Sequence, residues 1–383
     1  MDFAWNRSQE ELFERIASFT RTRLNNERAG DRDRNHEWSE PLWRLAGEFG
    51  LLGLSVPTAY GGMGLDTLTT AGAVEAFGRG CEDMGLVFSA CAHLFACVMP
   101  IVANADERQR PYFLPKLASG EWVGANAITE AEAGSDVFSL RTTATWDGDF
   151  YVLNGAKTYV TNGPVADVYL VYASTNPDYG YLGVSAFLVE KGTPGLVVGK
   201  PFGKVGLTTS PVSGIYLEDC RVPSRNLLGK EGNGGRIFES SMAWERACLF
   251  AGYLGNMDRT LAASIDYAKK RKQGGKAIGQ YQAISHKIVD MKLRLESARL
   301  MLYRACWLSD QKEPDMGLAI ALAKVAVSEA AVQSGIDAIR IHGGSGVMHE
   351  VGVERSLRDA LPSILFSGTS EVQRNIAARK LGL

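Results

Sequence analysis

The chain has 383 residues, is 45% hydrophobic and carries a formal charge of -2. That length buries a sizeable core in two or three subdomains, and near-neutrality excludes a general nucleic-acid footprint even though Lys269 to Lys276 is locally basic. Six cysteines without a CxxC pair and five histidines without HExxH spacing leave no disulfide framework and no metal site.

From Met1 to Glu11 the chain is acidic and amphipathic, unlike a signal peptide. Leu12, Phe13, Ile16 and Phe19 share one helical face, as do Leu42, Leu45, Phe49 and Leu51, so residues 1–120 read as a helical domain. Val56 to Gly64 is a glycine-rich loop that lacks the spacing of a dinucleotide fingerprint. Near Trp122 the texture changes to short β-prone runs, namely Phe150–Leu153, Val168–Tyr172, Ser185–Val189, Leu196–Val198 and Ile215–Leu217. Residues 121–226 therefore read as a β domain. Val222-Pro223 through Gly229 is expected to return the chain to helix, and residues 227–383 read as a helical bundle. Ala283–Leu308 and Met316–Ile341 form antiparallel partners across Glu313-Pro314-Asp315. Gly317–Ile336 reads as the most apolar segment, and Lys324 and Glu329 within it argue for a buried helix instead of a membrane span. The expected compartment is cytoplasmic.

One stretch organises the rest. Phe250, Leu254, Met257, Leu261, Ile265 and Ala268 recur at helical spacing, between the pair Glu245-Arg246 and the cations Lys269, Lys270, Arg271 and Lys272. About 26 helical steps separate Glu245 from Arg271, roughly 39 Å at about 1.5 Å per residue. The two ends cannot serve one pocket of one subunit. An oligomer in which Arg271 reaches a neighbour's site resolves this.

Four polar stretches could carry chemistry, and each alone is also explained as a turn or cap. Ile128 to Asp136 is a loop of hydroxyls and backbone amides, and Asn154 to Gly163 is a hairpin-like Asn-Gly turn feeding a strand. Arg340-Ile341-His342-Gly343-Gly344 permits close backbone approach or a helix stop. Phe366 to Glu371 is a Ser/Thr-rich cap whose N–H groups could face an oxyanion.

In this order, on a helical, β, helical chain, the four resemble the acyl-CoA dehydrogenase family of flavoproteins over essentially the full length. The matching segments are Thr129-Glu130 with Gly134-Ser135-Asp136, Lys157 to Asn162, Val222-Pro223, Arg271 to Gly275, Gly343-Gly344 and Gly368-Thr369-Ser370. The resemblance implies an α+β fold with a helical N-terminal domain, a central β-barrel-like domain and a C-terminal four-helix bundle. It implies FAD bound by Asn126, Ile128, Thr129, Ser135, Tyr159, Thr161, Thr369 and Glu371, with Arg271, Gln282, Arg340 and Gly344 on the flavin of the adjacent subunit of a homotetramer. Ser135, Trp244 and Arg246 are the substrate-binding residues it implies.

Many family members place a catalytic glutamate where this chain has Ser367, and a serine hydroxyl is too weak a base for a carbon-bound proton. Glu245 stands where isovaleryl-CoA dehydrogenases carry a relocated base. Arg340 replaces a glutamine, and Gly274 an aromatic, at the adenine and pyrophosphate end. The implied chemistry is α,β-dehydrogenation of an acyl or aminoacyl thioester on CoA or a carrier protein. Glu245 takes the α proton, flavin N5 takes the β hydride, and the Ser367 N–H supports the carbonyl oxygen. Prolyl carrier-protein oxidases are similar in base position. An electron-transfer flavoprotein or oxygen would accept the electrons. Alternatives are a relative oxidising a hydroxyacyl-carrier protein, a nitroalkane or an amine, and an inactive flavoprotein scaffold.

Overall fold

A computed structural model describes residues 4–25 and 29–383; Met1, Asp2 and Phe3 of the N-terminal reading lie outside the described residues. The N-terminal part holds α1 (Arg7–Phe19), α2 (Ala29–Asn35), α3 (Glu40–Phe49), α4 (Thr67–Gly80), α5 (Met84–Cys91), α6 (Met99–Asn104) and α7 (Gln109–Ala118). Asn6 starts α1 with a reciprocal capping box to Gln9, and Asp66 and Asp83 cap α4 and α5 through their carboxylates.

The central sheet comprises β1 (Gly124–Ala127), β2 (Thr143–Asp147), β3 (Phe150–Thr161), β4 (Val168–Ser174), β5 (Val184–Glu190), β6 (Leu196–Val198), β7 (Val212–Pro223) and β8 (Leu227–Leu228). Its order is β6-β7-β3-β2-β4-β5-β8, with β1 added in parallel to β4. The sheet curls about a small core of its own that includes Tyr151, Leu153, Tyr169, Phe187, Ile215 and Leu217. A larger core joins its other face to the helices.

The C-terminal part holds α8 (Gly234–Trp244), a π-helical segment at Glu245–Leu249, then α9 (Ala251–Lys270), α10 (Gln282–Asp310), α11 (Met316–His342), α12 (Val353–Ala360) and α13 (Ser370–Lys380). Helix α9 packs unusually close to α4. A Cβ on Gly78 would sit 2.2 Å from the Gly252 carbonyl, and one on Gly255 2.1 Å from the Glu75 carbonyl, so glycine is what permits the crossing. Glu75 of α4 then accepts from Arg299 and Tyr303 of α10, and Asp310 at the end of α10 accepts from the first N–H groups of α4.

Several expectations are corrected. Asn154-Gly155 is no hairpin turn: it lies inside β3 at a bulge opposite β7, and the turn falls earlier, at Gly148 with φ +62°. Cross-strand pairing of a long strand overrode a local Asn-Gly signal. Residues 222–229 return only to a single 3-10 turn at Ser224–Asn226, because β7 runs to Pro223, β8 follows that turn, and the first α-helix, α8, begins at Gly234. The Ser240–Lys276 stretch is not one uninterrupted α-helix. The π segment divides it, and Lys272 and Lys276 belong to a small β-ladder beyond its end. Met84–Asn104, with a mean hydropathy of 2.2, is more apolar than the segment chosen from sequence. It and Met316–Val347 are long and apolar enough to cross a membrane by length and composition, but 83% of the first is buried within the fold.

Candidate active site

The π segment places Glu245. A π turn inserts one residue into a helix and is common at functional sites, because it frees carbonyls and re-aims side chains. Here Cys306 donates to the Ala247 carbonyl and Cys248 to the Thr67 carbonyl, so buried thiols help satisfy the backbone. All six cysteines are free and buried. Glu245 itself is 8% exposed, and burial pushes its carboxyl above the usual range against the opposing pull of the Ser367 hydroxyl and the Arg246 charge. Trp244, just before it, is half-buried and stacks parallel to Phe95 at 6.4 Å.

The other half of the site is the turn before α13. Phe366 anchors it, packing against Phe88, Phe250 and Tyr253. Ser367 and Gly368 then adopt successive left-handed conformations, φ +56° and +84°. The Ser367 carbonyl accepts from Arg246 Nε at 2.8 Å and from Gln373 Nε2 at 3.1 Å. A Cβ on Gly368 would meet that same Gln373 nitrogen at 2.7 Å, so a side chain there would break the clamp. Its partners held, the turn aims the Ser367 hydroxyl at Glu245, to which it donates. Among the described residues no acceptor meets the Ser367 N–H. Thr369 caps α13 by accepting from Val372 N, which leaves Glu371 exposed on the first turn.

Arg246, expected to bind substrate, is thus a clamp on the Ser367 backbone. The hydroxyl contact of Ser367 and the role of Gln373 were missed from sequence, because both depend on a turn that folds 122 residues away from Glu245. A serine replacing the expected glutamate was the available signal.

A second group lies along β1 and β3. Thr158 N donates to the Thr129 carbonyl at 2.8 Å, which holds Ile128-Thr129 beside Tyr159. Helix α5 connects this group to the first: Phe88 touches Phe366, while the carbonyl of Ser89 accepts from Asn162 Nδ2, three residues beyond Tyr159 by way of Val160 and Thr161. Asn126 Oδ1 is buried with no hydrogen-bond partner, Thr161 is half-buried, and Tyr159 is 70% exposed. An orphaned acceptor on β1 and an uncovered aromatic on β3 fit a flat ligand that brings its own donors. Ser135 is exposed on the Ile128–Asp136 loop, and nearby Phe138 packs edge-on against Phe238 of α8, so the loop lies along the helix that carries Trp244.

The third group is elsewhere. Arg271, Gln282, Arg340 and Gly344 are all exposed at the end of the bundle where α9 stops, α10 begins and α11 ends at Gly343, φ +61°. Tyr267 of α9 stacks on His342 of α11 at 4.3 Å and fixes that end together. The structure therefore brings Glu245, Arg246, Ser367 and Thr369 together and keeps Arg271 with its neighbours at the far end of α9. Arg340 pairs loosely with Asp337 at 3.8 Å.

Three family models match along the chain: the acyl-CoA dehydrogenase N-terminal domain at residues 6–121, the middle domain at 125–220 and the C-terminal domain at 232–382. This chain belongs to the acyl-CoA dehydrogenase family. Among its relatives in the family is an L-prolyl-[peptidyl-carrier protein] dehydrogenase of Pseudomonas fluorescens, 50% identical with 100% of each chain covered. The crystal structure of the prolyl acyl carrier protein oxidase AnaB superposes with a TM-score of 0.96 at 43% identity, covering 99% of this chain and 100% of that one. PigA with FAD and proline matches with a TM-score of 0.97 at 46% identity over 100% of both chains. As a family member the chain has the α+β architecture expected of it, and its departure at Ser367 now has a structural counterpart in the carboxylate of Glu245 that the serine contacts.

Proposed function

We propose that the protein is an FAD-dependent dehydrogenase of a prolyl thioester carried on a peptidyl carrier protein, with Glu245 as the α-proton base. The observation that carries this is the buried Glu245 carboxylate, hydrogen-bonded by Ser367, whose own N–H meets no acceptor among the described residues. The identity of 50% to a prolyl carrier-protein dehydrogenase over the full length supports the substrate class.

Bound FAD supplies an acceptor for the β hydrogen with its electron pair. The residues present fit it: Asn126, Ile128, Thr129, Ser135, Tyr159 and Thr161 would form one wall, and Thr369 and Glu371 would close the other. Glu245 removes the α proton as the carbon–carbon double bond forms, and its burial makes it a stronger base than a solvated carboxylate. Negative charge gathers on the thioester oxygen during that removal. The Ser367 N–H, held in place by Arg246 and Gln373 on the adjoining carbonyl, is a preorganised donor for it. The Ser367 hydroxyl orients the base and limits how far its pKa rises.

A cavity of about 440 Å³ opens beside Trp244, lined also by Ser240, Ala243, Lys312, Pro314 and Lys380. Lys312 and Lys380 of this lining, with Glu313 as the one carboxylate among them, would meet the phosphodiester of a pantetheine arm. Arg271, Gln282, Arg340 and Gly344 would reach the flavin of an adjoining copy, in a working form that is at least a dimer and, by the family resemblance, a homotetramer. An electron-transfer flavoprotein or oxygen serves as terminal acceptor, and release of hydrogen peroxide distinguishes the second.

The test is an anaerobic visible spectrum of the purified yellow protein mixed with prolyl-loaded carrier protein. Bleaching by that substrate and not by isovaleryl-CoA is the expected result. Bleaching by isovaleryl-CoA alone would replace the substrate, and a colourless protein that takes up no FAD would remove the reading.

A further inference from the structure

Lys157 and Tyr159 are two residues apart on β3, so in a regular strand they would share a face. They do not: Lys157 is 1% exposed and Tyr159 is 70% exposed. The register with β7 breaks between Lys157 and Val160, and Tyr159 sits at φ +55° within that break. A bulky residue in the left-handed region is strained, so a local contact must hold the bulge against a regular pleat.

The contact is a buried ion pair. Lys157 Nζ donates to Glu130 Oε1 at 2.7 Å and to the Ile128 carbonyl at 3.1 Å. Glu130 also accepts from Arg141 N at 2.6 Å, from Thr142 N at 3.0 Å and from the Thr142 hydroxyl at 2.5 Å. Burying an ammonium and a carboxylate is costly unless nearly every donor and acceptor is matched, and here they are. Burial draws the lysine pKa down to about 8, opposed by the charge of Glu130. Lys157 grips the Ile128 carbonyl, the Glu130 carboxylate ties the same loop to the backbone N–H groups of Arg141 and Thr142, and the residue after Lys157 donates to the Thr129 carbonyl at 2.8 Å. The strand is thereby pulled inward at Lys157 and the loop is drawn against it.

We propose that the buried Lys157–Glu130 pair is a positioning device for the flavin: it enforces the bulge that turns Tyr159 outward and fixes Ile128 and Thr129 beside it as one surface. This rests on the reading of that surface as the flavin wall. The pair touches no reacting atom. Its effect runs through Tyr159, which gives it a signature that a simple structural staple lacks.

The experiment is a double-mutant cycle on FAD binding by full-length protein. Lys157→Met with Glu130→Gln removes both charges while glutamine keeps an acceptor for Arg141 and Thr142. Each form, with and without Tyr159→Ala, is stripped of flavin and titrated with FAD, and the visible absorption and circular dichroism of the bound flavin are recorded. The charge-free pair is expected to weaken FAD binding by about tenfold and to alter the flavin dichroism, with most of that loss absent once Tyr159 is alanine. Losses that add independently of Tyr159, or unchanged affinity and dichroism in the folded protein, would overturn the proposal. If the double variant does not fold, the same cycle with Glu130→Gln alone decides by the same additivity criterion. Failure of the unsubstituted protein to bind FAD would instead sink the flavin reading itself.

Discussion

The Ser367 hydroxyl donates a hydrogen bond to the carboxylate of Glu245, joining residues 122 positions apart into one acid-base unit. The glutamate carries the charge and the serine sets its orientation. Glu245→Gln keeps the shape and removes the base, so kcat should fall by about 10²- to 10⁴-fold with FAD still bound. Retained turnover of the prolyl thioester would show that another group takes the proton.

Ser367→Ala is a different perturbation. The hydroxyl lowers the pKa of Glu245, so its loss lets burial raise that pKa further. With Glu245 as the proposed base the working form is the carboxylate, and the acidic limb of the kcat profile should therefore move to higher pH. Ser367→Gly should do the same while relieving the positive φ of Ser367, giving about 1 kcal/mol more stability in a melting experiment. Profiles that coincide with the original would mean the hydroxyl has no hold on the base.

Arg246 acts through a backbone. Its Nε donates to the Ser367 carbonyl, and Arg246→Met should let the turn relax and misplace the adjoining N–H. We expect kcat to drop by about tenfold or more with a smaller change in KM, as for a donor used mainly in the transition state. A rise in KM alone would return Arg246 to ordinary substrate binding.

Lys324 is fully buried on α11, its ammonium lies over the Phe250 ring at 5.5 Å, and among the described residues it has no hydrogen-bond partner. Burial, reinforced by the charge of Arg246, draws its pKa from 10.5 down to about 8. The folded state thus binds this proton less tightly than the unfolded chain, and stability gains from that group as pH rises from about 8 towards 10.5. Lys324→Met should raise stability at pH 7 by about 2 kcal/mol and abolish that alkaline gain. Denaturant melts at pH 7 and 10 check both parts.

Asp359 shows the opposite sign. It is buried, accepts from Leu207 N at 2.6 Å, and burial lifts its pKa from 3.8 to about 6. The folded state binds the proton more tightly, so the stabilisation is full below pH 3.8 and is lost as pH rises to about 6. Asp359→Asn keeps an acceptor for Leu207 and should be more stable than the unsubstituted protein at pH 7 by about 2 kcal/mol, with no such difference near pH 3.5. Parallel stability curves across that range would remove Asp359 as the titrating group.

Much of the architecture was legible because it rests on local periodicity. The stripe from Phe250 to Ala268, the α10–α11 pair and the β-rich centre follow from spacing that any short window contains. Glu245 could be singled out because the residue at 367 was not a glutamate. Asn154-Gly155 misled, since a turn-forming dipeptide can be absorbed as a bulge when long strands pair on both sides of it. The interior of the site was not legible. Phe366 finding Phe88, Gln373 reaching the Ser367 carbonyl and the left-handed turn at 367–368 all depend on where α13 docks.

By itself, then, the order of residues determined the family and showed that a glutamate stands at 245 where position 367 holds a serine. Only the tertiary structure decided that Arg246 clamps a backbone, that Ser367 serves Glu245, and that Lys157 and Tyr159 face opposite ways two residues apart. The physical reason is range. Periodicity and turn propensity act over a few residues, whereas hydrogen bonds to a buried carboxylate and the desolvation that shifts its pKa exist only once distant segments have excluded water between them.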